Sequence, residues 1–324
     1  MKIGIISFAH MHAHSYAQAV KDSKKATLVG IADENQARGK QAAHQYQTDY
    51  FSSYEELLNQ DIDAVIVTSE NNKHQEHVIA SAKAKKHILC EKPLATTIEA
   101  ARNIIEEAEE NGVILQTAFP VRFHSAIISA KQKIDEGAIG RIAAILGTNR
   151  GRNPGDWFVD REKSGGGAVL DHTVHVVDIM RWYLQSEIVE VYAEIDQHFS
   201  EYDIDDAGVL TYEFDNGVYA TLDCSWSRNK NYPTWGDVTL DIIGTEGTIN
   251  VDVFKQNIHV YSDANGLNDI NWGDDMDKGL IDDFIDAVIQ KRPPSITGDD
   301  GLKAVEVALA AYKSSTIKEP VRIR

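Results

Sequence analysis

Residues 1–33 read MKIGIISFAHMHAHSYAQAVKDSKKATLVGIAD, and this stretch decides the fold. An apolar run over 2–7 passes through a short turn into a helix-friendly segment over 13–22. A second apolar run over 27–32 follows and ends on Asp33. Short apolar runs bounded by turn residues fit strands buried on both faces, and the segment between them has the length of a crossover helix. The rhythm repeats downstream. Strands are predicted at 64–68, 87–90 and 113–117, and helices at 35–46, 53–59, 74–84 and 96–110, the last stopped by Asn111-Gly112. Such alternation implies parallel strands with helices on both faces, hence a doubly wound α/β Rossmann domain over residues 1–120.

Beyond residue 120 the pattern changes. A helix over 123–136 ends near Gly137, a strand spans 141–148 and a helix spans 171–184. Strands are then predicted at 187–196, 207–214, 218–225, 237–243, 248–254 and 257–261. Asp215-Asn216-Gly217 supplies the residues a tight hairpin turn requires. Val238, Leu240 and Ile242 alternate with Thr239 and Asp241, as on a sheet with one wet face. Helices at 278–290 and 299–315 close an α+β domain over 121–324, the final helix being free to pack back on the first domain.

Bulk properties narrow the function. The 324 residues carry a formal net charge of -18, which repels nucleic-acid and anionic membrane surfaces. No apolar stretch approaches the roughly 18 residues of a membrane span, and the amino terminus lacks the features of a secretory signal. Only two cysteines occur, Cys90 and Cys224, far apart in sequence, as expected of buried thiols in a reducing, cytoplasmic setting.

A dinucleotide site needs a tight glycine turn after the first strand and an acid at the end of the second. Asp33 meets the second requirement. Its carboxylate would accept ribose hydroxyls and repel a 2′-phosphate, and Glu34 follows it, so NAD is favoured over NADP, with Arg38 softening the preference. The glycine turn is degraded: Ser7, Ala9 and His12 stand where G-x-G-x-x-G is expected. His10-Met11-His12-Ala13-His14 has a rival reading as zinc ligands of a β/α-barrel hydrolase. Consecutive strands over 187–261 do not suit a barrel, and no metal is predicted.

Two further segments carry chemistry. Glu91-Lys92-Pro93 follows a strand at the carboxyl edge of the sheet, where open α/β folds bind ligands. A lysine there can stabilise a developing alkoxide. Ser164-Gly-Gly-Gly-Ala-Val-Leu-Asp171 leads into a helix with His172, His175 and Asp178. Asp171 and His175 lie four apart, on one helical face. A near-neutral imidazole can take a hydroxyl proton, and the aspartate can orient that imidazole or bind a neighbouring hydroxyl. The bland alternative makes Asp171 a helix cap and His175 a core histidine. Asp178 reads as structural and His172 as a possible substrate contact. Arg152 and Trp157 precede the glycine loop, where they would line a polar pocket with an aromatic wall; Trp226 and Trp235 read equally well as packing or binding.

Together these segments resemble the glucose–fructose oxidoreductase, inositol dehydrogenase and rhizopine catabolism (Gfo/Idh/MocA) family. The resemblance rests on Gly4-Ile-Ile, Asp63-Ala-Val-Ile-Val-Thr68 with His74, Glu91-Lys92-Pro93-Leu94, and Gly165-Gly-Gly-Ala-Val-Leu-Asp171 through His175 and Asp178. It implies a Rossmann domain followed by a domain with an open, largely antiparallel sheet, through which homodimers or homotetramers form. It also implies an NAD(P)-dependent dehydrogenase acting on a secondary alcohol of a sugar, inositol or related polyol. Lys92 would contact the reacting hydroxyl, with His175 as general base beside Asp171. Ser7, Phe8, Ala9, His10, Met11, Asp33, Thr68, Ser69, Asn71, His74, Glu91, Lys92 and Arg122 would line the cofactor. The chain departs from the family in its glycines and in Ser69-Glu70-Asn71-Asn72, which lacks the usual proline. Two other readings use the same fold: an NAD-using glycoside hydrolase and a non-catalytic ligand-binding homologue.

Overall fold

The computed structural model describes residues 1–255, 257–262, 266–271 and 275–323. In chain order the elements are β1 (Lys2–Ile6), α1 (His12–Asp22), β2 (Thr27–Ala32), α2 (Gln36–Tyr46), β3 (Asp49–Phe51), α3 (Tyr54–Leu58), β4 (Ala64–Val67), α4 (His74–Lys83), β5 (His87–Glu91), α5 (Ile98–Glu110) and β6 (Leu115–Ala118). Then follow α6 (Ser125–Asp135), β7 (Ile142–Thr148), α7 (Arg161–Ser164), α8 (Ala168–Leu184), β8 (Ile188–Asp196), β9 (Ala207–Phe214), β10 (Tyr219–Asp223), β11 (Thr239–Gly244) and β12 (Thr248–Asp252). The chain closes with β13 (Asn257–Ser262), β14 (Gly266–Asn271), α9 (Met276–Gln290), α10 (Gly298–Ile317) and β15 (Val321–Arg322). Among the described residues no helix is long and apolar enough to cross a membrane.

The chain divides into two compact units. The first comprises Met1–Pro120, Glu162–Gly165 and Asp277–Val305. Its sheet has six parallel strands in the order β3-β2-β1-β4-β5-β6. The order reverses between β1 and β4, and ligands of doubly wound sheets bind at that crevice, outside the carboxyl ends of the strands. The central strands are buried on both faces, Ile3, Ile5 and Ala64 to Val67 being inaccessible to solvent. Burial of this kind on both faces explains why they read as unbroken apolar runs. Helix α5 turns Ala101, Ile104 and Ala108 inward and starts at Thr97, whose side chain accepts the Ala100 N–H. The strand β3 was not expected from the sequence.

The second unit comprises Val121–Arg161, Gly166–Met276 and Glu306–Arg324. Its main sheet runs β12-β11-β7-β10-β9-β8-β15, and β13 and β14 form a separate hairpin. The main sheet is mixed, which corrects the expectation of a largely antiparallel one. Strands β7 and β10 pair in parallel, Tyr219 opposite Ala144 through Asp223 opposite Thr148. The reason is topological: α8, β8 and β9 intervene in the chain, and that long connection returns β10 beside β7 in the same direction. The β9–β10 hairpin turns through Asn216-Gly217, with Gly217 at φ 81°. Along β9 the alternation is strict. Gly208, Leu210, Tyr212 and Phe214 are buried, whereas Val209, Thr211 and Glu213 are exposed. Helix α8 packs on β7 and β9.

Candidate functional site

In the first unit, the β1–α1 turn holds its shape without the expected glycines. Ser7 takes the left-handed backbone, φ 71°, that glycine adopts most easily. It is tied on both sides: its N–H donates to the Ala32 carbonyl at 2.7 Å, and its carbonyl accepts from Thr68 Oγ1 at 2.7 Å. Asp33 is enclosed. Its carboxylate accepts from the N–H groups of Phe8 (2.8 Å) and Asn35 (2.9 Å), and from Arg38 Nε (2.8 Å) and Nη2 (2.9 Å). The acid expected to receive a ribose therefore already carries a guanidinium. Beside it lies a cavity of about 340 Å³ lined by Ser7, Asp33, Asn35, Arg38, Tyr54 and Lys73. Its position at the carboxyl ends of β1 and β2 suits the adenosine half of a dinucleotide.

The β4 end and the Glu91-Lys92-Pro93 segment are joined by a residue that the sequence placed correctly beyond β4. His74 is inaccessible, its Nδ1 2.9 Å from the Pro93 carbonyl and its Nε2 3.2 Å from that of Ser69. Burial outweighs these contacts and lowers its pKa, so the ring is neutral and donates to one carbonyl at a time. Asn71 donates to the Ser164 carbonyl at 2.8 Å, at the head of the glycine loop. His77, which sequence reasoning passed over, accepts from or donates to Ser69 Oγ at 3.0 Å, and burial depresses its pKa to about 4. Lys92 is 4% exposed, follows β5 directly, and precedes a cis proline bond. Its N–H donates to Glu91 Oε1 at 3.0 Å.

Glu91 is itself inaccessible to solvent. Burial opposes its charge, but the imidazoles of His10 and His12 and the Lys92 ammonium outweigh it and hold the carboxyl far below the usual range. His12 Nδ1 lies 3.3 Å from Glu91 Oε2, and His10 Nδ1 lies 4.0 Å from it. Tyr16, one helical turn after His12, places its hydroxyl 3.3 Å from the same Nδ1. Donor atoms of His10, His12 and Glu91 fall within 4.8 Å of one another. A zinc-like ion holds imidazole and carboxylate donors at about 2.0–2.2 Å. His10 Nδ1, however, is occupied, accepting the His12 N–H at 3.1 Å. The geometry is that of an ion pair with a second ring alongside.

In the second unit, α8 begins at Ala168, three residues before the expected start, so Asp171 lies in its first turn and does not cap it. The capping role falls to Asp205, which sequence reasoning missed. Its carboxylate accepts from Gly167 N–H and Val169 N–H at 2.9 Å each, and its carbonyl accepts the Ala168 N–H at 2.9 Å. Tyr312 donates to the same carboxylate at 3.0 Å. A side chain at Gly167 would meet the Asp205 carbonyl at 1.9 Å, so this loop position needs glycine.

Along α8, Asp171 Oδ2 accepts from Trp226 Nε1 at 3.2 Å and lies 3.3 Å from His172 Nε2. His172 Nδ1 donates to the Cys224 carbonyl at 3.1 Å. Trp226 therefore both packs and orients Asp171. His175 is 7% exposed. Asp178 is inaccessible and receives Arg122 at both oxygens, Nε at 2.8 Å, and that guanidinium stacks over Trp182 at 5.5 Å. Arg122, expected beside the cofactor, is thus 7% exposed and committed to a buried ion pair. Trp157 is 3% exposed and stacks on Phe158 at 4.0 Å, and Arg152 donates to the Tyr232 carbonyl. Cys90 and Cys224 are both free and buried.

Comparison with known proteins follows this geometry. Residues 1–119 match the family model described as "Oxidoreductase family, NAD-binding Rossmann fold", and residues 127–250 match the "GFO/IDH/MocA C-terminal domain". The chain is 29% identical over 336 residues to the myo-inositol 2-dehydrogenase of Thermotoga maritima, covering 100% of this chain and 98% of that protein. It is 30% identical over 337 residues to the scyllo-inositol 2-dehydrogenase (NAD(+)) of Bacillus subtilis, covering 99% and 95%. The crystal structure of a probable dehydrogenase from Thermotoga maritima superposes with a TM-score of 0.86 at 28% identity, covering 99% of this chain and 98% of that one. Matched in both units and along nearly its whole length, the chain belongs to the GFO/IDH/MocA oxidoreductase family.

Proposed function

We propose that this protein is an NAD-dependent dehydrogenase that oxidises a secondary alcohol of an inositol, sugar or related polyol. One observation carries the reading. A lysine only 4% exposed stands at the carboxyl end of β5, in a chain that is matched over nearly its whole length by inositol dehydrogenases. A buried ammonium in such a place serves to meet a charge that develops in the reaction. NAD, when bound, accepts the hydride. Lys92 donates to the alcohol oxygen and stabilises its alkoxide character. His175 takes the hydroxyl proton, and Asp171, held by Trp226, orients the imidazole or a neighbouring hydroxyl. Asp33 with Arg38 takes the adenosine ribose, the acid favouring NAD over NADP. Arg152 and His172 supply polar contacts to the substrate.

The test is a screen of myo-inositol, scyllo-inositol and simple sugars with NAD and with NADP, followed by absorbance of the reduced nicotinamide. Steady reduction with a polyol and a preference for NAD are expected. Failure to reduce either cofactor with any polyol or sugar would contradict the reading.

We also propose that the protein is a homo-oligomer through the open face of its mixed sheet. That face shows Val209 (54% exposed), Tyr219 (61%) and Leu146 (45%) on neighbouring strands. Exposed apolar side chains set among Thr221, Glu213 and Asp223 on one sheet face suit a partner copy that covers them. Sedimentation velocity is expected to give a dimer or tetramer, and a monomer at micromolar concentration would refute it.

A further inference from the structure

The turn that should cradle a pyrophosphate has spent most of its donors on itself, the Met11 N–H alone having no hydrogen bond among the described residues from Phe8 to His14. In dinucleotide folds, backbone N–H groups at the start of the first helix point at the pyrophosphate, and glycines let it approach. Here the Phe8 N–H goes to Asp33, the Ala9 N–H to Ser7 Oγ (3.1 Å), the His10 N–H to the Thr68 carbonyl (3.0 Å) and the His12 N–H to His10 Nδ1. The next two, Ala13 and His14, donate to the carbonyls of His10 and Met11. Helix α1 carries no acidic residue in its own first turn and no side-chain cap at Met11, and the buried carboxylate beside its start, Glu91, is engaged by His12.

At the same place the chain builds a cation. His12 is the first residue of α1, and its side chain is 27% exposed, whereas its partner Glu91 is inaccessible. Nδ1 faces Glu91 and Tyr16, and Nε2 has no hydrogen-bond partner among the described residues. One edge of the ring is therefore anchored on a buried carboxylate, and the other is available to a ligand. We propose that the His12 imidazolium is a pyrophosphate-binding group of this protein, joining the Met11 N–H in place of the fuller backbone cradle that glycines provide in the standard fingerprint. The assignment rests on the NAD reading above.

Several groups face His12 and set its protonation. Burial opposes the charge, but Glu91, by attraction and by hydrogen bond, and then Asp277 overcome it, against Lys92, so that its pKa is raised. Tyr16 stays neutral, because burial and Glu91 push its pKa well up. The ring of His10 lies 4.5 Å away, edge to face. A raised imidazole pKa means that the cation is complete on the acid side and is lost as pH rises through that value. Affinity for a pyrophosphate should fall in the same direction.

Calorimetric titration with ADP-ribose and with adenosine, between about pH 6 and about pH 9, tests the assignment without turnover. ADP-ribose should bind the native protein about tenfold more weakly at the alkaline end, and adenosine, which carries no phosphate, should show no such change. His12→Gln should lose about tenfold in ADP-ribose affinity at about pH 6 and show no pH dependence. His12→Gly, which restores the fingerprint residue, should also bind more weakly, with chemical unfolding confirming that both variants are folded. Tighter binding by His12→Gly would show that the ring only obstructs the site and would overturn the proposal. Equal, pH-independent binding by native protein and His12→Gln would overturn it too, leaving the NAD reading intact. Failure of the native protein to bind ADP-ribose at any pH would refute the NAD reading itself.

Discussion

Lys92→Ala is expected to lower kcat/KM for polyol oxidation by about a thousandfold while NADH affinity changes little. The lysine is buried at 4% exposure, and its backbone is fixed on both sides. Its own N–H is held by Glu91 Oε1, and the following Pro93 carbonyl is held by His74. A charge placed so firmly acts on the transition state without first reorganising, which is why its removal should appear in turnover. Steady-state kinetics at saturating NAD, with NADH binding measured separately, would check this. A variant that kept a third of the native kcat/KM would mean that the ammonium is not aimed at the reacting oxygen. Weakened NADH binding with unchanged kcat would move Lys92 to the cofactor.

His175→Gln should cost a comparable factor, on the order of a thousandfold in kcat, with a different signature. A general base works only when neutral, so native activity rises with pH until the base has lost its proton. Replacing the imidazole by an amide of similar size removes that group, and the rising acid limb of the pH–rate profile should vanish with the rate. The residue is 7% exposed on α8, so glutamine tests the proton while disturbing the packing less than alanine would. An acid limb that persists in the variant would assign proton transfer to another group, and an unchanged rate would make His175 a core histidine.

How much of this could be read in the sequence depended on whether the signal was local. Strands β1, β2 and β4 are buried on both faces, so each was written as an unbroken apolar run and was found. Strand β3, Asp49–Phe51, is too short to show a period. The hairpin at Asn216-Gly217 was legible because a tight turn demands those residues. The parallel pairing of β10 with β7 was not, since direction is settled by a connection of some seventy residues and not by either strand's pattern.

The site divides in the same way. Glu91-Lys92-Pro93 and the glycine loop were visible because chemistry and steric demand are concentrated in a few adjacent residues. The groups that hold them in place were not. Asp205 caps α8 from 38 residues beyond Gly167, and Arg122 meets Asp178 across 56. Arg122 carried a binding expectation, and its ion pair with the buried Asp178 left no local trace in the sequence. Tyr16 did leave a signal, four residues after His12 on one helical face, and attention to the histidines alone passed over it.

The central claim is that a hydride leaves a polyol carbon for NAD, and it is tested most directly with a polyol deuterated at its carbinol carbon. NMR of the reduced cofactor should show one deuterium delivered to the nicotinamide C4 per turnover, on one face of the ring. Sugar released with no net reduced cofactor, or reduced cofactor carrying only protium, would contradict the account.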